Sequence, residues 1–135
     1  MFYIHIPFCD SKCSYCAFNS YVEKFHLKKD YIDSLLKQLT FELKRYRVDK
    51  NSLKSVFIGG GTPSTISAML YKPLFFLLLP YLADGVEITS EANPNSATYE
   101  WLRGMRELGV NRLSFGVQSF DEKKLKLLNR SHNSD

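Results

Sequence analysis

Residues 55–63 read SVFIGGGTP, a short apolar run (Ser55–Ile58) that stops abruptly at three glycines. Three successive β-branched or aromatic residues, Val56 to Ile58, closed by glycine are the pattern of a buried strand running into an exposed loop. The same arrangement recurs along the chain. Phe2–Ile6 is an apolar strand that ends at Pro7 and is followed by cysteines. Val86–Ser90 ends at Glu91 and Asn93-Pro94, and Arg112–Val117 ends at Gln118-Ser119. Each strand therefore closes on a segment able to do chemistry.

Helical periodicity fills the gaps. Tyr31–Arg47 carries Ile32, Leu35, Leu36, Leu39, Leu43 and Tyr46 on one face, with Asp30 as the expected N-cap. Ser67–Leu82 is the second helix, interrupted or shortened by Pro73 and Pro80. Ala97–Leu108 is the third, capped by Ser96 and stopped by Gly109. Glu122–Leu128 begins a fourth. The order βαβαβαβα predicts an α/β fold with a parallel sheet covered by helices. Unit lengths suit a (β/α) barrel, and a whole barrel takes roughly 250 residues. The 135 residues of this chain amount to about half of one. They are expected to be a piece of a larger domain, inactive and poorly soluble alone because sheet edges would be unpaired. In such a sheet all four strand ends lie on one face, where these folds place their sites.

Bulk properties exclude several classes. Hydrophobic content is 44%, charged content 24% and net charge +4, which suits one ordinary globular domain. Lys and Arg are dispersed apart from a weak cluster over Lys44–Lys54, so no nucleic-acid partner is expected. The longest apolar run, Leu74–Leu79, is far shorter than the roughly 20 residues of a membrane span and is expected to be core. No signal peptide is expected before the first strand. Three cysteines in one motif argue against a disulfide framework and for a reducing, cytoplasmic compartment.

Those cysteines, Cys9, Cys13 and Cys16, form Cys-x3-Cys-x2-Cys in the first loop. Three thiolates on a tight loop can each hold one corner iron of a cubane cluster, leaving the fourth iron open to a small molecule. A zinc site completed by His5 or His26, or simply free thiols, are the alternatives, although a second Cys-x2-Cys knuckle is missing. Gly59, Gly60 and Gly61 with Thr62 let a ligand approach the backbone, or make an ordinary glycine turn; no dinucleotide fingerprint follows. Glu91 can accept hydrogen bonds from an amine or hydroxyls, or be a plain surface acid. Gln118 and Arg130 can read an amino-acid moiety, or be a turn residue and a helix-end charge. Tyr3 and His5 share one face of the first strand. The Tyr3 hydroxyl points to the barrel interior, whereas His5 is expected to pack against the facing helix.

Together, YIHIPFCDSKCSYC, FIGGGTPS, TSEANP, GVNRLSFGVQSF and LNRSH, running from Tyr3 to His132, resemble the radical S-adenosylmethionine superfamily. More narrowly, they look like its branch of coproporphyrinogen III dehydrogenases and heme chaperones (HemN and HemW). The resemblance implies a partial TIM-like barrel of the radical SAM type, about its first four βα units. It implies a [4Fe-4S] cluster on Cys9, Cys13 and Cys16, with S-adenosylmethionine chelating the open iron and cleaved reductively to a radical. In the family, positions matching Tyr3, Tyr15, Gly60, Gly61, Thr62, Glu91, Gln118 and Arg130 line the S-adenosylmethionine sites, and Gly59–Thr62 would hold the methionine end. The dehydrogenases have a further cysteine where this chain has Phe18, and a long arm before the first strand. Both departures favour the heme chaperones, proteins that bind heme and pass it to an acceptor protein. Ala17 replaces an aspartate often found there, which bears on tuning of the cluster rather than on its ligation. Implied partners are heme or a porphyrinogen, an electron-donor protein and a heme-acceptor protein. The competing readings are a coproporphyrinogen III dehydrogenase and a zinc-stabilised binding module.

Overall fold

A computed structural model describes residues 1–9 and 27–116. Four parallel strands, β1 (Phe2–Ile6), β2 (Leu53–Gly60), β3 (Leu82–Ala92) and β4 (Arg112–Phe115), lie in sequential order. Helices α1 (Lys28–Arg45), α2 (Ala68–Leu78) and α3 (Tyr99–Leu108) connect them. Parallel neighbours require such crossovers, so the strand C-termini gather at one end.

Strand alternation sorts the side chains into two faces. Ile4, Ile6, Val56, Ile58 and Ile88 are buried in one core with Ile32, Leu39 and Leu43 of α1 and Tyr71, Leu74 and Leu78 of α2. Trp101 and Met105 of α3 complete that cluster. The other face carries Tyr3, His5, Phe57, Gly59, Thr89 and Glu91. Tyr3 stacks on Phe57 with ring centroids 5.9 Å apart. His5 therefore does not pack against the helix, as expected from its neighbours; Ile4 and Ile6 take that side.

Several boundaries differ from the periodicity. Helix α1 starts at Lys28, so Asp30 is not its cap but lies in its first turn, where a carboxylate faces the positive end of the dipole. Tyr46 ends the helix and is exposed rather than on the apolar face. Pro73 does not interrupt α2, which ends at Leu78; Pro80 falls in a 3-10 turn, Leu79–Tyr81. Strand β3 begins at Leu82, four residues early, because its first part pairs irregularly: Leu53 faces Leu82, yet Ser55 already faces Glu87. Helix α3 is capped by Thr98, whose hydroxyl accepts from the Trp101 N–H at 3.1 Å. Ser96 is not the cap, since its hydroxyl is engaged by Ser64 at 2.6 Å. Gly109 ends α3 at φ 118°, a left-handed conformation that suits glycine. Of the run Leu74–Leu79, Phe76 and Leu79 are exposed instead of core. The described part of β4 ends at Phe115. The segments 117 and 122–128 of the expected fourth unit lie outside the described residues.

Candidate functional site

The site is built where β1 and β2 end side by side. Register pairs His5 with Gly59 and Ile6 with Gly60. The pairing then continues past the strands. The Gly61 N–H donates to the Ile6 carbonyl at 2.6 Å, and the Thr62 N–H donates to the Phe8 carbonyl at 2.6 Å. These two bonds zip the glycine loop against the entrance of the cysteine loop. Such closeness requires glycine. A Cβ at position 61 would lie 2.7 Å from the Phe8 carbonyl oxygen and 2.9 Å from Cys9 Sγ. At position 60 it would meet the His5 ring at 2.6 Å, and φ is +111°, which side chains rarely adopt.

Cys9 is only 7% exposed and receives a hydrogen bond from the Thr62 hydroxyl, with Oγ1 3.6 Å from Sγ. The close approach of the Gly61 backbone to a buried sulfur, and the soft thiolate donor itself, fit iron ligation. Cys13, Cys16 and Tyr15 lie outside the described residues, as do Gln118, Arg130 and His26.

Glu91 sits at the end of β3 and accepts from the Gly60 N–H, with Oε2 3.2 Å from the nitrogen. Burial pushes its pKa above the ordinary carboxylate range; the Gly60 hydrogen bond and nearby His5 pull it back without cancelling that effect. Tyr3 lies beside it, its phenol raised by burial and then by the Glu91 charge. The Tyr3 hydroxyl is 3.2 Å from His5 Nδ1. Tyr3, Gly59, Gly60, Gly61, Thr62, Glu91 and Cys9 are thus brought to one end of one sheet face. The raised carboxyl has a stability consequence. Its charged form is disfavoured in the fold, so stability falls as pH rises from the ordinary glutamate range through the raised pKa. Glu91→Gln, which keeps an acceptor oxygen for Gly60, is expected to remove that pH-dependent loss. Urea midpoints for both proteins across pH 4 to 8 check this; parallel curves would contradict it.

Supporting residues escaped sequence reasoning. The Tyr71 hydroxyl, fully buried, donates to the Pro63 carbonyl at 2.7 Å, and burial pushes its pKa well above the ordinary phenol value. Trp101 Nε1 donates to the Ile66 carbonyl at 2.9 Å. Lys28, at the start of α1, donates to the Thr65 carbonyl. The Tyr31 hydroxyl donates to the His5 carbonyl at 2.5 Å, and its ring meets Phe8 edge-on. The Ser64 hydroxyl accepts from the Asn93 N–H at 3.0 Å, joining the loop after β2 to the loop after β3. Only the aromatic character of Tyr71 and Trp101 signalled burial, and nothing local named their partners.

Comparison with known proteins places this geometry in context. A family profile described as the radical SAM superfamily matches residues 3–135. A protein named heme chaperone HemW from Haemophilus influenzae is 42% identical over 98% of this chain and 36% of its own length. Its namesake in Escherichia coli is 43% identical over 96% of this chain and 35% of its own. A mouse protein named radical S-adenosyl methionine domain-containing protein 1, mitochondrial, is 39% identical over 98% of this chain and 30% of its own. The chain thus spans about a third of the length of these curated relatives. Among solved structures, coproporphyrinogen III oxidase (HemN) from Escherichia coli, described as a radical SAM enzyme, superposes with a TM-score of 0.83. That match is 30% identical and covers 98% of this chain and 31% of the enzyme. The four-stranded parallel sheet thus matches part of that TIM-like barrel. Membership implies S-adenosylmethionine and a [4Fe-4S] cluster as cofactors in general terms. With its profile match from Tyr3 onward and its strand-end site, this chain belongs to the radical SAM superfamily.

Proposed function

We propose that the chain is the N-terminal part of a radical SAM core domain and that the protein is a heme chaperone, binding heme and transferring it to an acceptor protein. In this reading Cys9, Cys13 and Cys16 hold a [4Fe-4S] cluster. The observation that carries it is the zipper between Ile6–Phe8 and Gly61–Thr62, which brings a buried cysteine into close approach with a glycine backbone. When bound, the cluster and S-adenosylmethionine supply one-electron reductive chemistry at the sulfonium, with the electron coming from a donor protein.

The chain's own residues orient and enclose. Gly59, Gly60, Gly61 and Thr62 offer backbone groups to the methionine end of S-adenosylmethionine. The Gly60 N–H fixes one oxygen of Glu91, leaving the other to accept from an amine or hydroxyls. Tyr3, stacked on Phe57, presents its ring beside the carboxylate. Tyr15, Gln118 and Arg130 complete the ligand's surroundings. Among the described residues no helix is long and apolar enough to cross a membrane. The reading places the protein in the cytoplasm.

The chaperone role rests on the names of the bacterial relatives at 42% and 43% identity, together with Phe18 in place of a fourth cysteine. A second reading, coproporphyrinogen III dehydrogenase, is favoured by the TM-score of 0.83 to HemN. One experiment separates them. The full-length reconstituted protein is titrated with heme, mixed with an apo-hemoprotein, and separately incubated with coproporphyrinogen III, S-adenosylmethionine and a reductant. One heme bound per chain, transferred to the acceptor without decarboxylation, is the expected result. Decarboxylated product would establish the dehydrogenase instead.

A further inference from the structure

We propose that Thr62 is a positioning and tuning residue: its hydroxyl donates a hydrogen bond to the Cys9 sulfur and thereby raises the reduction potential of the cluster that sulfur ligates. The inference rests on the cysteine-cluster reading above.

The contact is imposed by the backbone rather than chosen by a mobile side chain. Gly61 and Thr62 are both bonded to the β1 end, at 2.6 Å each, so the Thr62 Cα cannot retreat from Cys9. The following turn is held on three sides. Thr65 donates through its hydroxyl to the Thr62 carbonyl at 2.7 Å, Tyr71 holds Pro63, and Lys28 holds the Thr65 carbonyl. Cys9 and Lys28, the one before and the other after the segment 10–26, thus both bond to Thr62–Thr65. Gly61, having no Cβ, lets the loop backbone approach Sγ closely, and the Thr62 hydroxyl donates to it. A ligand sulfur carries more negative charge when the cluster is reduced. A donor aimed at it therefore stabilises the reduced form, and hydrogen bonds to sulfur are among the factors that set such potentials.

Thr62→Val removes the donor at nearly constant volume, Thr62→Ser keeps it, and Thr62→Ala removes it with no risk of crowding. Each is prepared in the full-length protein, reconstituted anaerobically, assayed for iron and sulfide, and titrated by electron paramagnetic resonance against redox mediators. The valine and alanine variants are expected to shift the reduction equilibrium about tenfold toward the oxidised cluster, which is about 59 mV for one electron. Serine is expected to restore it to within about threefold of the parent. Potentials of all three variants equal to the parent, with clusters intact, would overturn the inference while leaving the cysteine-cluster reading untouched. A parent protein with no cluster would overturn both. A loss of stability without a change in potential would mean that Thr62 is merely structural.

Discussion

Trp101→Ala is expected to lower the unfolding free energy by about 3–5 kcal/mol, the usual range for removing a buried tryptophan. The indole is 5% exposed and belongs to the hydrophobic core shared by the helices and the sheet. Its removal leaves a cavity in the core cluster that the surrounding helices cannot fully close. It also leaves the Ile66 carbonyl without the donor that Nε1 provides at 2.9 Å. An unpartnered buried acceptor adds to the cost. Ile66 follows directly on Pro63–Thr65, so the damage reaches the turn that carries Thr62 toward Cys9. Trp101→Phe separates the two contributions. It retains most of the ring volume and loses only the hydrogen bond, for an expected cost of about 1–3 kcal/mol. Urea unfolding of the full-length variants reads both. A cost below about 1 kcal/mol for alanine would contradict the role assigned to this residue in the core.

How far the fold was legible depended on whether the signal was local. Strand β2 stood out because Val56 and Ile58 are followed at once by three glycines, and β1 because Ile4 and Ile6 alternate with Tyr3 and His5. The irregular start of β3 was hidden, since the residues from Leu82 to Gly85 show no strand alternation and yet lie within a strand whose register slips against β2. Caps were misplaced for a similar reason. Ser96 has the right chemistry for a cap, but Ser64, 32 positions earlier, takes its hydroxyl, and Thr98 caps instead. The apolar run Leu74–Leu79 suggested uniform burial, whereas a helix packed on one side buries only Leu74, Phe75 and Leu78 and turns Phe76 outward.

Much of the candidate site was legible from the same principle that made the strands so. Chemistry-bearing residues after parallel strands share one end, and Cys9, Gly60, Gly61, Thr62 and Glu91 do meet there. What remained illegible was the second layer. Tyr71, Trp101 and Lys28 each hold a backbone carbonyl of residues 63–66 from another part of the chain. No periodicity or spacing encodes such partners, because they arise only when helices dock. His5 was misjudged for the opposite reason. Its immediate neighbours are core residues, but alternation puts it with Tyr3 on the face that carries Glu91.

Cys13→Ala is expected to have the largest effect on function, because it removes one of three thiolates and leaves an iron corner without a protein ligand. Two remaining cysteines, one of them the buried Cys9, are too few to retain a cubane cluster through purification. Loss of the cluster is expected to take S-adenosylmethionine binding with it, since the open iron is where the amino-acid end would chelate. The substitution leaves unchanged the four residues of the zipper, Ile6, Phe8, Gly61 and Thr62. The direct measurement is iron and acid-labile sulfide per chain after anaerobic reconstitution of the full-length protein and of Cys13→Ala. About four of each in the parent, falling to well under one in the variant, is the result predicted for a three-cysteine [4Fe-4S] site. One zinc per chain in place of iron, or a folded parent with no metal, would contradict it and leave the triplet a structural element of a binding module.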